Sequence, residues 1–149
     1  MHLSDEQLDE LFTKGRDAAE KGYIHSAQVF LDQVAGQRKD PELQSYLAYC
    51  LAKGEGRVQV AAQMCREALE RQPHNSLHHL LLGRILMMAG HRDKAIETFR
   101  RGLRAQPNPQ IMRELKGLGL RKPTVIKALE RDHPLNKTLG KMLTRIGLR

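Results

Sequence analysis

The chain has 149 residues, a formal net charge of +8, 4% aromatic residues, no tryptophan and two cysteines. That length supports one buried core without a disulfide framework or structural metal, and the abundance of Ala, Leu, Lys, Arg, Glu and Gln predicts an all-helical protein. No apolar run approaches the roughly 20 residues that cross a bilayer, and Met1-His2-Leu3-Ser4 lacks the basic-then-apolar order of a secretory leader, so a cytoplasmic protein is expected.

The charge is unevenly placed. Residues 1–109 carry 15 Lys and Arg against 14 Asp and Glu, whereas residues 110–149 carry 10 against 3. The basic character therefore belongs to the C-terminal part.

Helices are predicted in chain order from caps, breakers and apolar spacing. The first covers about 4–21, opened by a Ser4 and Gln7 capping box and closed at Gly22. The second covers about 24–37, the third 42–53 and the fourth 57–71, with Pro41 and Pro73 read as interruptions of the second and fourth. A fifth at about 75–89 ends at Gly90, and a sixth at about 92–105 precedes Pro107. Cys50 and Cys65 fall at inward positions and read as reduced core residues.

A seventh, capping helix is expected within 108–121. Asn108 is its N-cap and Pro109 its first residue, and it runs through Ile111, Met112, Leu115 and Leu118 to stop around Gly117 to Gly119. The remaining tail, 122–149, reads as two helical pieces near 124–131 and 136–147. In the second, Leu135, Leu139, Met142, Leu143 and Ile146 recur on one face and Lys137, Lys141, Arg145 and Arg149 on another. Such a basic amphipathic helix can cap the last repeat, lie on an anionic membrane, contact nucleic acid or dock on a partner. It lacks the aromatics that stack on unpaired bases.

Self-similarity organises these elements. Ala27, Ala61 and Ala95 lie 34 residues apart, as do Gly22, Gly56 and Gly90, and Leu31, Cys65 and Phe99. A strict period would set Tyr49 where Gly15 and Gly83 sit, at a close helix crossing that excludes a phenol. Sliding the third helix by one residue brings Ala48 there, and the Gly54-Glu55-Gly56 turn can absorb the shift.

These columns resemble the tetratricopeptide repeat (TPR) family, most clearly at His79, Leu82, Gly83, Leu86, Ala95, Phe99 and Pro107 in residues 76–109. Leu11, Gly15, Ala18, Ala27 and Leu31 repeat the pattern in residues 8–41, with Pro41 two places late. Leu47, Ala48, Leu51, Ala61, Cys65, Ala68 and Pro73 do so in residues 42–75. The resemblance implies a right-handed superhelical solenoid of three helix pairs over residues 1–107, with the first helix of each pair lining a concave face.

By the same resemblance, the ligand-facing positions are Phe12, Arg16, Ala19 and Glu20; Ser45, Tyr49, Ala52 and Lys53; and Leu77, Leu80, Arg84, Met87 and Met88. This mixed apolar and basic set fits a protein or peptide segment with apolar anchors and acidic groups. The competing reading is that these residues only pack on neighbouring helices or under the tail. Chaperone-binding members grip a peptide carboxylate with Lys and Asn where this chain has Phe12, Arg16 and Tyr49, so an Hsp70 or Hsp90 tail is not the expected ligand.

The chemical motifs are weak. His91-Arg92-Asp93 lacks the rest of a kinase, His74 and His78 lack further metal ligands, and Gly54-Glu55-Gly56 lacks a phosphate loop's ending. The expectation is a non-catalytic adaptor or chaperone-like scaffold with no cofactor or metal, of the fold and size of bacterial type III secretion chaperones. The alternative is a tethering module that uses the basic tail on an anionic membrane or nucleic acid. A tail seated in its own or a neighbour's groove would make the chain self-associate.

Overall fold

The computed structural model describes residues 2–119 and 134–145. All regular elements among them are helices: α1 (Asp5–Glu20), α2 (Ile24–Ala35), α3 (Pro41–Glu55), α4 (Val58–Arg71), α5 (Ser76–Met88), α6 (Arg92–Ala105), α7 (Pro109–Gly117) and α8 (Pro134–Arg145). The expected helix near 124–131 lies outside the described residues, as does the end of the expected 136–147 helix beyond Arg145.

The chain divides into two compact units, Met1–Leu115 and Lys116–Arg149. In the first, α1 packs on α2, α3 on α4 and α5 on α6. Successive pairs meet through α2 with α3 and α4 with α5, and the first helices touch along α1, α3 and α5. This is the expected solenoid of helix pairs, each burying an apolar face it could not cover alone. In the second unit α8 begins at a proline, which suits a helix's first turn, and Thr138 and Thr144 return their hydroxyls to the Pro134 and Gly140 carbonyls.

The repeat columns form the core. Leu31, Cys65 and Phe99 are fully buried, as are Ala27, Ala61, Ala95 and Ala48. A Cβ built on Gly15 would lie 2.7 Å from Cγ and Cδ2 of Leu31, and one on Gly83 would enter the Phe99 ring. Only hydrogen fits beside the Phe99 ring, and at Gly15 a methyl group would require Leu31 to move.

The middle pair differs as the sliding argument requires, though by another device. Gly22 and Gly90 lie beyond two-bond helix ends: Gly22 N donates to Ala19 O and Tyr23 N to Ala18 O, and Gly90 N to Met87 O and His91 N to Leu86 O. In α3 the α-helical bonding continues to Gly56, whose N donates to Ala52 O at 3.0 Å. Gly54 and Glu55 are thus helical rather than a turn. Gly56 alone reverses the chain, at φ +70°.

Pro41 corrects the expectation for the second helix. That helix ends at Ala35 without a proline, and Pro41 instead opens α3 behind Asp40, whose carboxylate accepts from Glu42 N at 2.8 Å. A missing N–H costs nothing at that position.

The cap is seated by one residue. Ile111 is fully buried, and a Cβ on Gly102 would meet its Cδ1 at 2.6 Å. Gly102 therefore makes the socket into which α7 plugs.

Candidate partner-binding face

The adjacency of α1, α3 and α5 sets the expected ligand-facing positions side by side. They divide into three kinds of environment. Ser45 and Leu80 are fully buried and Ala19 and Ala52 nearly so, which places them behind the face rather than on it. Phe12, Leu77 and Met87 are half-buried, and Phe12 sets its edge against the Tyr46 ring at 6.1 Å beneath the Arg38 guanidinium. Arg16, Glu20, Lys53 and Met88 are exposed, Arg16 beside the neighbouring carboxylate of Asp17.

Ser45 instead anchors a buried polar relay. Gln72 Oε1 already accepts from Asn75 Nδ2, and it lies 2.8 Å from His78 Nε2, so that ring nitrogen donates. His78 Nδ1 is then the acceptor for the Ser45 hydroxyl at 2.6 Å. Burial and the neighbouring His79 keep His78 neutral, against the opposing field of Asp40, with its pKa pushed down to about 4. Among the described residues no group of three or more metal-binding side chains gathers here or elsewhere.

Both cysteines are free and buried. Burial pushes the Cys50 thiol up to about 11 and the Cys65 thiol, beside the Ser45 hydroxyl, up to about 12. The inward placement expected for both is observed.

Arg84 occupies the centre of the face and is already engaged. Its Nε donates to Glu114 Oε1 at 2.6 Å, and its Nη1 lies 3.3 Å from both carboxylate oxygens of Glu20. Its guanidinium carbon stands 5.8 Å over the Tyr49 ring, and only 18% of the side chain is exposed. Burial opposes the charge, yet the hydrogen bond to Glu114 and the field of Glu20 outweigh it and raise the pKa above the usual arginine value. Gln110 Nε2 also donates to Glu20 Oε2 at 3.1 Å. One guanidinium thus ties α1, α3 and α7 to α5.

Glu114 and Gln110 were missed by the sequence reading, which took α7 only as a cap. Their spacing of four on a helix, off the Ile111 side, is the signal that could have found them. With Glu20, Arg84 and Arg113 they line a cleft of about 340 Å³. A larger groove of about 540 Å³ runs over α4, α5 and α6, floored by Leu69, Leu82 and Leu86 and rimmed by charges of both signs.

Of the tail residues, Lys137, Lys141 and Arg145 are exposed on α8, while Arg149 lies outside the described residues. No described helix is long and apolar enough to cross a membrane.

Comparison with known proteins bears on the same architecture. Residues 52–117 match the family model described as tetratricopeptide repeat. No curated protein sequence matches the chain. Among solved structures, the first TPR of Spaghetti (RPAP3) bound to the HSP90 peptide SRMEEVD is 17% identical, covers 80% of this chain and 95% of that one, and superposes with a TM-score of 0.57. PcrH in complex with the chaperone binding region of PopB is 18% identical over 79% of this chain and 98% of that one, with a TM-score of 0.59. MamA is 20% identical over 78% and 72%, with a TM-score of 0.53. At these identities the likeness is one of fold. Residues 52–117 thus carry tetratricopeptide repeat sequence, and the repeat columns and helix pairs give the first unit the same fold.

Proposed function

We propose that this chain is a non-catalytic protein-interaction scaffold, adaptor or chaperone-like, that holds a partner segment against the face formed by α1, α3 and α5. Two of the structures that share its fold carry a bound protein segment, the HSP90 peptide in one and the PopB region in the other. The observation that carries the reading is the group of side chains this face leaves uncovered. Met88 is 37% exposed, Leu77 and Met87 are half-buried, and Arg16 and Lys53 are exposed. Thioethers adapt to varied apolar anchors, and the two cations suit acidic groups on the segment.

The test is a pull-down with the full chain against variants Leu77→Asp with Met88→Asp, and Lys53→Glu. All three positions have solvent access, so the fold should survive, as circular dichroism would check. Loss of the same captured proteins in both variants supports the reading. Undiminished capture by a folded double variant would overturn it.

The tail supplies a second reading. Lys137, Lys141 and Arg145 present three exposed cations on α8, four residues apart. Tethering through them to an anionic membrane or nucleic acid would weaken steeply with salt and persist in the Leu77 and Met88 variant. Sedimentation with anionic vesicles at two salt concentrations separates this from binding at the face.

A further inference from the structure

Arg84 is a strongly directional cation on the face formed by α1, α3 and α5, and the chain spends it on itself. Arg84 has a 2.6 Å bond to Glu114 and a two-oxygen contact with Glu20 at 3.3 Å, while Gln110 holds Glu20 from the other side. We propose that Glu114, supported by Glu20, fills the place a partner's carboxylate would take and so sets the charge preference at Arg84. While Glu114 is in place, side chains presented to Arg84 are selected for being uncharged, and acidic ones are turned away.

Two carboxylates already face the Arg84 guanidinium, so its charge is matched within the chain before any ligand arrives. A third carboxylate gains nothing by replacing Glu114, because one charge-assisted bond is exchanged for another of the same kind. If it does not replace Glu114, it meets the like charge of Glu114 and Glu20 at close range in a partly exposed cleft. Arg113 also lines the cleft, but it is exposed and its attraction is screened.

Glu114 can act as a specificity determinant because its helix is held independently of it. α7 is seated through Ile111 in the Gly102 socket and capped by Asn108, whose Oδ1 accepts from Gln110 N at 3.0 Å and Ile111 N at 3.2 Å. Neutralising Glu114 as Gln should therefore leave the helix in place and Arg84 Nε–H with a neutral amide acceptor instead of a carboxylate. A guanidinium that has lost one of its two counter-charges gains a charge-assisted bond from an added carboxylate.

This inference rests on the concave face being the partner surface, and its test does not require the natural partner. The Arg84 Nε–H resonance is followed by NMR in the full chain while N-acetyl-tetraglutamate amide is added at constant ionic strength, with the tetraglutamine peptide as control. In the native chain the resonance should stay put. In Glu114→Gln the acidic peptide should shift it saturably, with an affinity about tenfold or more above that of the native chain, and the glutamine peptide should not. Arg84→Gln added to that variant should abolish the gain.

Equal acidic-peptide binding by the native chain and Glu114→Gln, or none by either, would overturn the proposal. Glu20→Gln removes the other counter-charge of Arg84 and is read in the same way should Glu114→Gln fold poorly. A native partner captured through Leu77 and Met88 whatever the state of Glu114 would leave the broader reading standing and remove this one.

Discussion

The Ser45 hydroxyl and His78 Nδ1 meet at 2.6 Å in a fully buried contact between α3 and α5, joining two successive repeats through a ring that must stay neutral. The folded pKa of His78, about 4, lies below its ordinary value of 6.5. The unfolded chain therefore binds this proton first. Its contribution to stability is complete above about pH 6.5 and is lost as pH falls toward 4, reaching about 3 kcal/mol at most. Denaturant unfolding at pH 7.5 and 4.5 should show a larger acid loss in the native chain than in His78→Gln. An equal loss in both would mean that this ring does not sense acid.

The Gly83 crossing should be less forgiving than the Gly15 crossing. Gly83→Ala drives a methyl group into the Phe99 ring, whereas the methyl of Gly15→Ala meets a leucine side chain that can rotate. We expect Gly83→Ala to cost about 2 to 3 kcal/mol and Gly15→Ala less, with Phe99→Leu recovering part of the former loss. Gly117→Ala, where a Cβ meets nothing within 4 Å, should be neutral or stabilising by about 0.5 kcal/mol. Chemical denaturation of the four variants checks the order.

The two thiols should be silent in the folded protein. Cys50 and Cys65 are fully enclosed, and burial moves both well above neutral pH, to about 11 and about 12. An aromatic disulfide reagent at pH 8 should label neither until denaturant unfolds the first unit, and then both together. Fast labelling of either in the native state would contradict the packing.

Asn108 should matter more than its exposed neighbours on α7. Its side chain accepts from the backbone of Gln110 and Ile111 and donates to Ser76 Oγ at 3.0 Å, which ties the start of α7 to the start of α5. Asn108→Ala should cost about 1 to 2 kcal/mol. Amide exchange should rise over Ile111 to Leu115 while Phe99 and Leu31 keep their protection.

The architecture was legible because it rests on local rules. A 34-residue spacing of Ala27, Ala61 and Ala95 reports close helix crossings, and Ser4, Asn108 and Gly90 mark helix ends where they are observed. Pro41 was misread because the same residue can follow one helix or open the next, and only the Asp40 cap decides.

The face was less legible because exposure depends on neighbours far away in sequence. Ser45 and Leu80 occupy ligand-facing positions by register, yet the polar relay claims one and the interior the other. Arg84 appeared to be available for an acidic partner because Glu20 and Glu114 lie 64 and 30 residues away. No helical periodicity brings those carboxylates to it.

The second helices begin at Ile24, Val58 and Arg92, in step with Gly22, Gly56 and Gly90, while the first helices begin at Asp5, Pro41 and Ser76. The invariant module is therefore a hairpin bend with its following helix, and the slack lies in the linkers ahead of each leading helix. Extra residues placed ahead of α3 would fall in a linker, at the cost of the Arg38 contacts with Phe12 and Asp9, whereas one added between Gly56 and Val58 would shift the entry of α4 against α3.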